Sequence, residues 1–271
     1  MSTSAIFKKL AICTLITGLF AVSQIATAHT SLQVGSINEN TSTYNNVVIG
    51  HGCAPIGSTI TSNPVIAQSV VFPDGIDSSI TDAAGAALSG LITDYVTNWV
   101  TVGTTAGTGF GSKIKNTDVF EKEGLKLANG SPDRIGFYGL EGELPGVGYL
   151  GLNPFRTAKV VINPASCAKS VTFKIAIADI CKTTRFPITE GNANIWMPAG
   201  TGSIYDTFQL DGYGSPAALK VVRTSVLPAA CGAGIDVVVT PSGAQINRDL
   251  PIKKANGEQY WPKKSNHGHD D

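Results

Sequence analysis

After residue 28 the chain reads as a series of short stretches in which polar and apolar residues alternate. Residues 29–34 (His-Thr-Ser-Leu-Gln-Val) carry this period of two and predict a first strand. Residues 36–44 are polar and read as a turn region. Residues 44–50 (Tyr-Asn-Asn-Val-Val-Ile-Gly) predict a second strand, ending in His51-Gly52-Cys53. Residues 58–72 alternate again and close at Pro73-Asp74-Gly75, where Pro fixes φ and Gly supplies a positive φ. Pairing of the first two strands would bring the end of the second beside residue 29.

The pattern changes over residues 82–100. Ala83, Ala84, Ala86, Ala87, Leu88, Leu91, Ile92, Tyr95 and Trp99 recur at helical spacing, and Thr81 or Asp82 can cap the start, so a helix is predicted there. Residues 101–113 are rich in Gly and Thr. Their Gly107-Thr108-Gly109-Phe110-Gly111-Ser112-Lys113 lacks the order of a phosphate-binding loop and reads as a turn. Residues 115–155 hold acidic groups among glycines and read as loops with short strands. Further strands are predicted over residues 157–162, 170–180, around Thr207, and over 217–226 and 235–240, which together describe a sandwich of short strands. The tail, residues 251–271, is polar and basic and reads as a solvated end, its His267 and His269 included.

One segment ahead of the strands is of a different kind. Lys8 and Lys9 precede an apolar run over residues 10–22, and Ala26-Thr27-Ala28 fits an A-x-A cleavage site, so residues 1–28 read as a signal peptide. No later apolar run approaches the roughly 18 residues a membrane-spanning helix needs. The expected location is periplasmic or secreted. Lys8 and Lys9 are the only charges in this segment, so 18 of the 20 basic side chains remain against all 20 acidic ones. That balance excludes a nucleic-acid footprint. Low charge, 30 Gly and 14 Pro, with many Val, Ile and Thr, suit an all-β domain over residues 29–250. Cys53, Cys167, Cys181 and Cys231 remain after cleavage, an even number that reads as two disulfides with three pairings open.

Cleavage after Ala28 also changes the chemistry of His29. Its α-nitrogen becomes a free amine on the same Cα as an imidazole, giving two nitrogen donors at chelating distance. Neutral imidazole is the commonest protein metal ligand, and nitrogen donors in a planar set suit Cu(II). The bland alternative is that His29 merely happens to follow the cleavage site.

His29 with its strand, Tyr44 opening the next one, His51-Gly52-Cys53, and Val70-Val71-Phe72-Pro73-Asp74-Gly75 together resemble the YcnI-like periplasmic copper-binding domain family. Residues 172–181 followed by Trp196 are similar to that family's later strand, cysteine and tryptophan. The likeness covers roughly residues 28–75 and 158–198, leaving about 76–151 as an insertion. It implies an all-β, Ig-like β-sandwich with an inserted helix/loop region. It also implies copper held by the amine and imidazole of the first mature residue, with an acidic side chain and a Trp, here Trp196, beside it. The disulfides it implies are Cys53–Cys181 and Cys167–Cys231.

Some family members place an acidic ligand at the end of the second strand, where this chain has His51. His51 is therefore the expected replacement, and amine plus two imidazoles gives the three-nitrogen histidine-brace set. The plainer alternative for Trp196 is an ordinary core indole, and Trp99 is read as a helix-packing residue. The expected role is non-enzymatic: Cu(II) handling or delivery, with another periplasmic or membrane copper-handling protein as partner. The alternatives are a copper-dependent oxygenase of the lytic polysaccharide type and a structural exported domain without metal. The oxygenase would want a flat aromatic face, yet aromatics are 7% of the chain and none cluster near His29 or His51 in sequence.

Overall fold

The computed structural model describes residues 29–54, 62–99, 109–128, 132–144 and 148–264. In chain order the strands are β1 (Ser31–Leu32), β2 (Ser36–Asn38), β3 (Tyr44–Ile49), β4 (Val65–Val71), β5 (Ser79–Asp82), β6 (Gly111–Lys113), β7 (Phe120–Leu127) and β8 (Arg134–Leu144). They continue as β9 (Gly151–Thr157), β10 (Ala168–Ile180), β11 (Ala193–Trp196), β12 (Ala217–Val222), β13 (Ile235–Thr240), β14 (Ile252–Lys253) and β15 (Gln259–Trp261). Two short helices, α1 (Ile92–Tyr95) and α2 (Gly243–Asp249), interrupt them.

The fold is an all-β sandwich. A four-stranded sheet, β1-β3-β9-β6, faces a nine-stranded sheet whose spine is β2-β12-β10-β4-β8-β7. Strand β10 is the hinge of the larger sheet. Its first half pairs antiparallel with β12 and parallel with β13, and its second half pairs with β4 and β11. Aromatic side chains fill the space between the sheets: Phe155 of the small sheet meets Phe72 at 5.8 Å and Phe137 at 5.7 Å. Trp99 stacks on Phe173 at 3.8 Å and donates Nε1–H to the Pro73 carbonyl at 2.6 Å. Disulfides join Cys53 to Cys181 and Cys167 to Cys231.

The first two predicted strands do pair, with Ser31 opposite Val48 and Leu32 opposite Val47. The helix predicted over residues 82–100 shrinks to α1. Asp82 ends β5, and its Oδ1 accepts from the backbone N–H groups of Ala84 and Ala86 at 2.9 and 2.8 Å, an Asx turn that competes with helix formation. Phe120–Leu127 and Arg134–Leu144 are not loops but long paired strands, β7 with β8. Their glycines make room for partners: a Cβ on Gly139 would lie 2.4 Å from the Phe120 ring. The strand predicted over residues 157–162 lies earlier, as β9, and residues 204–207 form a 3₁₀ turn capped by Ser203.

The tail is also corrected as far as Lys264. The β10–β4–β8 layer is apolar on both faces, and parts of the chain after Ile180, among them Ile188, Tyr205 and Leu210 and the C-terminal segment, cover the outer one. Ile246, Leu250, Ile252 and Trp261 are buried there against Ala67, Val71, Ala176 and Ala178. Buried apolar residues outweigh the lysines around them, and residues 252–261 form a hairpin. Residues 265–271, with His267 and His269, lie outside the described residues. Truncating Trp261 to Ala should cost about 3–5 kcal/mol of stability, as for large aromatic-to-alanine changes in cores. Denaturant unfolding checks this, and an unchanged midpoint would show that the C-terminal layer is dispensable.

Candidate functional site

At one end of the sandwich the inner faces of both sheets turn polar. Asp179 sits near the end of β10, with Gln68 of β4 opposite it and Trp196 of β11 on the same face. The Asp179 carboxylate is fully buried and accepts three hydrogen bonds. Gln68 Nε2 donates to Oδ1 at 2.8 Å, and Trp196 Nε1 and Thr30 Oγ1 donate to Oδ2 at 2.8 and 2.5 Å. The chain of bonds continues across the core, where Asn153 Nδ2 of the small sheet donates to Gln68 Oε1 at 2.7 Å. Burial pushes the Asp179 pKa up, while the bonds from Thr30, Gln68 and Trp196 and the nearby His51 pull it down; the net direction is up.

This network fixes the two histidines. Thr30 follows His29 directly, so its bond to Asp179 anchors the chain one residue from the imidazole. His29 meets the Trp196 indole edge-on at 4.9 Å, and His51 meets the same indole edge-on at 6.0 Å. The β1–β3 register predicted this convergence, because residues beyond Ser31 and Val48 leave the sheet at the same end. The Cys53–Cys181 bridge ties the chain just after His51 to the residue after β10. Behind the indole lies Gly212 at φ +94°, where a Cβ would come within 2.6 Å of the Trp196 ring. Only glycine lets that loop pack so closely.

The donor atoms are differentiated. His29 Nδ1 is buried and has no hydrogen-bond partner among the described residues. His51 Nδ1 lies 2.5 Å from the Gly52 carbonyl, so it carries the proton in the neutral ring and Nε2 keeps its lone pair. That Nε2 faces the Asp211 carboxylate at 3.5 Å. Asp211 is placed by the backbone, since Ile195 N–H donates to its carbonyl at 2.8 Å. Beside this end of the small sheet, Tyr149 and Leu150 are exposed.

His29, His51 and Trp196 are thus brought together as the sequence led one to expect, while the four cysteines are taken up in disulfides. Trp196 is at once a buried core indole and the neighbour of both histidines. Sequence reasoning missed Asp179 and Asp211. A lone carboxylate in Ile175-Ala176-Ile177-Ala178-Asp179-Ile180 was the available signal for the first; Asp211 had none, because only folding brings it to His51. Among the described residues no three His, Cys, Asp or Glu side chains are grouped to hold a metal. Two imidazoles need the α-nitrogen of His29 to make a third nitrogen donor. No family model, curated protein or solved structure matches this chain.

Replacing Asp179 with Ala strips partners from three buried donors, those of Thr30, Gln68 and Trp196. It should cost about 3 kcal/mol or more, at about 1–3 kcal/mol for each buried donor left unsatisfied. It should also alter the Trp196 fluorescence environment. Equilibrium unfolding and emission spectra check both, and a variant as stable as the parent would remove Asp179 from its organising role.

Proposed function

We propose that the protein, once cleaved after Ala28, is an exported copper-handling protein that holds one Cu(II). The ligands are the α-amine and Nδ1 of His29 and Nε2 of His51, with Asp211 beside them and Trp196 alongside both rings. The observation that carries this reading is the buried, unpartnered Nδ1 of His29. A buried polar atom without a partner is costly and asks for an explanation. Nδ1 is also the imidazole nitrogen able to close a chelate ring with the α-nitrogen on the same Cα. The resemblance to YcnI-like copper-binding domains supports the same assignment.

In this reading the bound metal supplies a cargo rather than a reaction. The protein's own residues do the rest. Thr30, through Asp179, holds the N-terminal strand against the sheet. The Gly52 carbonyl fixes the tautomer of His51, as partners of ligating histidines commonly do. The exposed Asp211 carboxylate adds negative charge on the open side, where a cation would enter and leave.

Protein beginning at His29 should bind one Cu(II), with electron paramagnetic resonance showing a tetragonal, nitrogen-dominated site. One added residue before His29 turns the amine into an amide and should weaken binding by more than roughly tenfold, about 1.4 kcal/mol or more. His51→Ala should change the spectrum by loss of a nitrogen donor. Because amine and imidazole must be deprotonated to bind, affinity should fall as pH is lowered. An extended protein that binds as tightly as the parent would defeat the assignment.

A further inference from the structure

A concave site lies in the C-terminal layer, unrelated to the histidines. A cleft of about 450 Å³ opens between residues 183–185 and the hairpin of β14 and β15. Arg185, Lys254, Lys263 and Lys264 line it, with Glu258 as the one carboxylate. Glu258 is taken by Lys254, at 3.1 Å. Arg185, Lys263 and Lys264 form no ion pair among the described residues. The chain after Ala28 has more acidic than basic side chains, so this concentration of cations in one cleft is not a general property of its surface.

The cations are carried by backbone that is itself held. Lys263 N–H donates to the Thr184 carbonyl at 2.8 Å, and Arg185 bridges Lys263 in parallel register. The hairpin is closed by Lys254 N–H to the Glu258 carbonyl at 2.8 Å and by Gly257 N–H to the Lys254 carbonyl at 2.9 Å. Trp261, between Tyr260 and the two lysines, is buried in the core. Neutral donors lie in the same cleft: the Tyr260 and Thr183 hydroxyls are 3.4 Å apart. Convergent ammonium groups, a planar guanidinium and hydroxyl donors are the set that recognises an oxyanion, with the arginine able to contact two oxygens at once.

We propose that this cleft is a binding site for a phosphate-bearing anion, either a soluble phosphate compound or the phosphate of an anionic lipid headgroup. Its chemistry requires Arg185 and Lys263 as the central contacts, with Lys264 and the Tyr260 hydroxyl completing the set. This site is independent of the copper reading, since it shares no residue with it.

The test uses protein beginning at His29 at low salt. Inorganic pyrophosphate is titrated by calorimetry, and vesicles of phosphatidylglycerol or of phosphatidylcholine alone are tested by co-sedimentation. Pyrophosphate binding identifies a soluble phosphate compound as a sufficient ligand. Binding to phosphatidylglycerol vesicles alone identifies the headgroup. In either arm Arg185→Ala with Lys263→Ala should weaken binding at least tenfold. Lys115→Ala with Lys159→Ala, which removes two exposed cations elsewhere, should leave it within twofold. Both double variants change exposed side chains, and an unchanged melting temperature verifies their folding. The proposal is overturned if neither probe binds, if phosphatidylcholine binds equally well, or if the two double variants lose affinity alike.

Discussion

A carboxylate with no exposed surface, Asp179, holds the working end of this molecule together. Burying it is tolerable only because every neighbour that reaches it is a donor, and those donors come from different parts of the chain. Thr30 brings the N-terminal strand, Gln68 brings β4 and through it Asn153 of the opposite sheet, and Trp196 brings β11. A hydrophobic contact could pack these elements, but it would not fix their orientation. Hydrogen bonds to one acceptor-only group do, because the donor directions must converge on two oxygens. The indole is therefore held in one orientation, and both histidines rest against it.

Around that point the fold supplies rigidity in layers. The aromatic core between the sheets sets their separation, and the Cys53–Cys181 bridge prevents the segment carrying His51 from drifting off the end of β10. On the far face, Ile188, Tyr205, Leu210 and the segment from Ile246 to Trp261 form a third layer over a sheet that is apolar on both sides. That layer supplies the wall of the basic cleft as well as the cover of the core. On the readings proposed above, one end of the molecule would hold a cation and the C-terminal layer an anion.

Much of the sandwich was legible in alternation alone, because a period of two reports directly which face is buried. The pairing of the first two strands, the Pro73-Asp74-Gly75 turn and the strand over 235–240 follow from it. The helix over residues 82–100 was misread because alanines at helical spacing also occur in an exposed turn, while among the described residues of this stretch only Ile92, Tyr95, Val96 and Trp99 are buried. The Asx turn at Asp82, not propensity, decides that segment. The long β7–β8 pairing was hidden by glycines that serve packing against Phe120 and Tyr138. In the C-terminal segment the lysines masked Ile252 and Trp261, so average polarity hid a buried hairpin. At the site, His29 and His51 were visible because their chemistry is rare in this chain. Asp211 was not, since its place beside His51 depends on β11 and the loop that follows it.

The central claim is that proteolysis creates the metal site: an ordinary peptide nitrogen at His29 becomes the third nitrogen donor beside two imidazoles. N-terminal sequencing of the protein recovered after export by a secreting host tests this most directly. The recovered chain should begin His-Thr-Ser-Leu with an unblocked amine. A mature chain that begins at any other residue would contradict it, whatever copper the protein then bound.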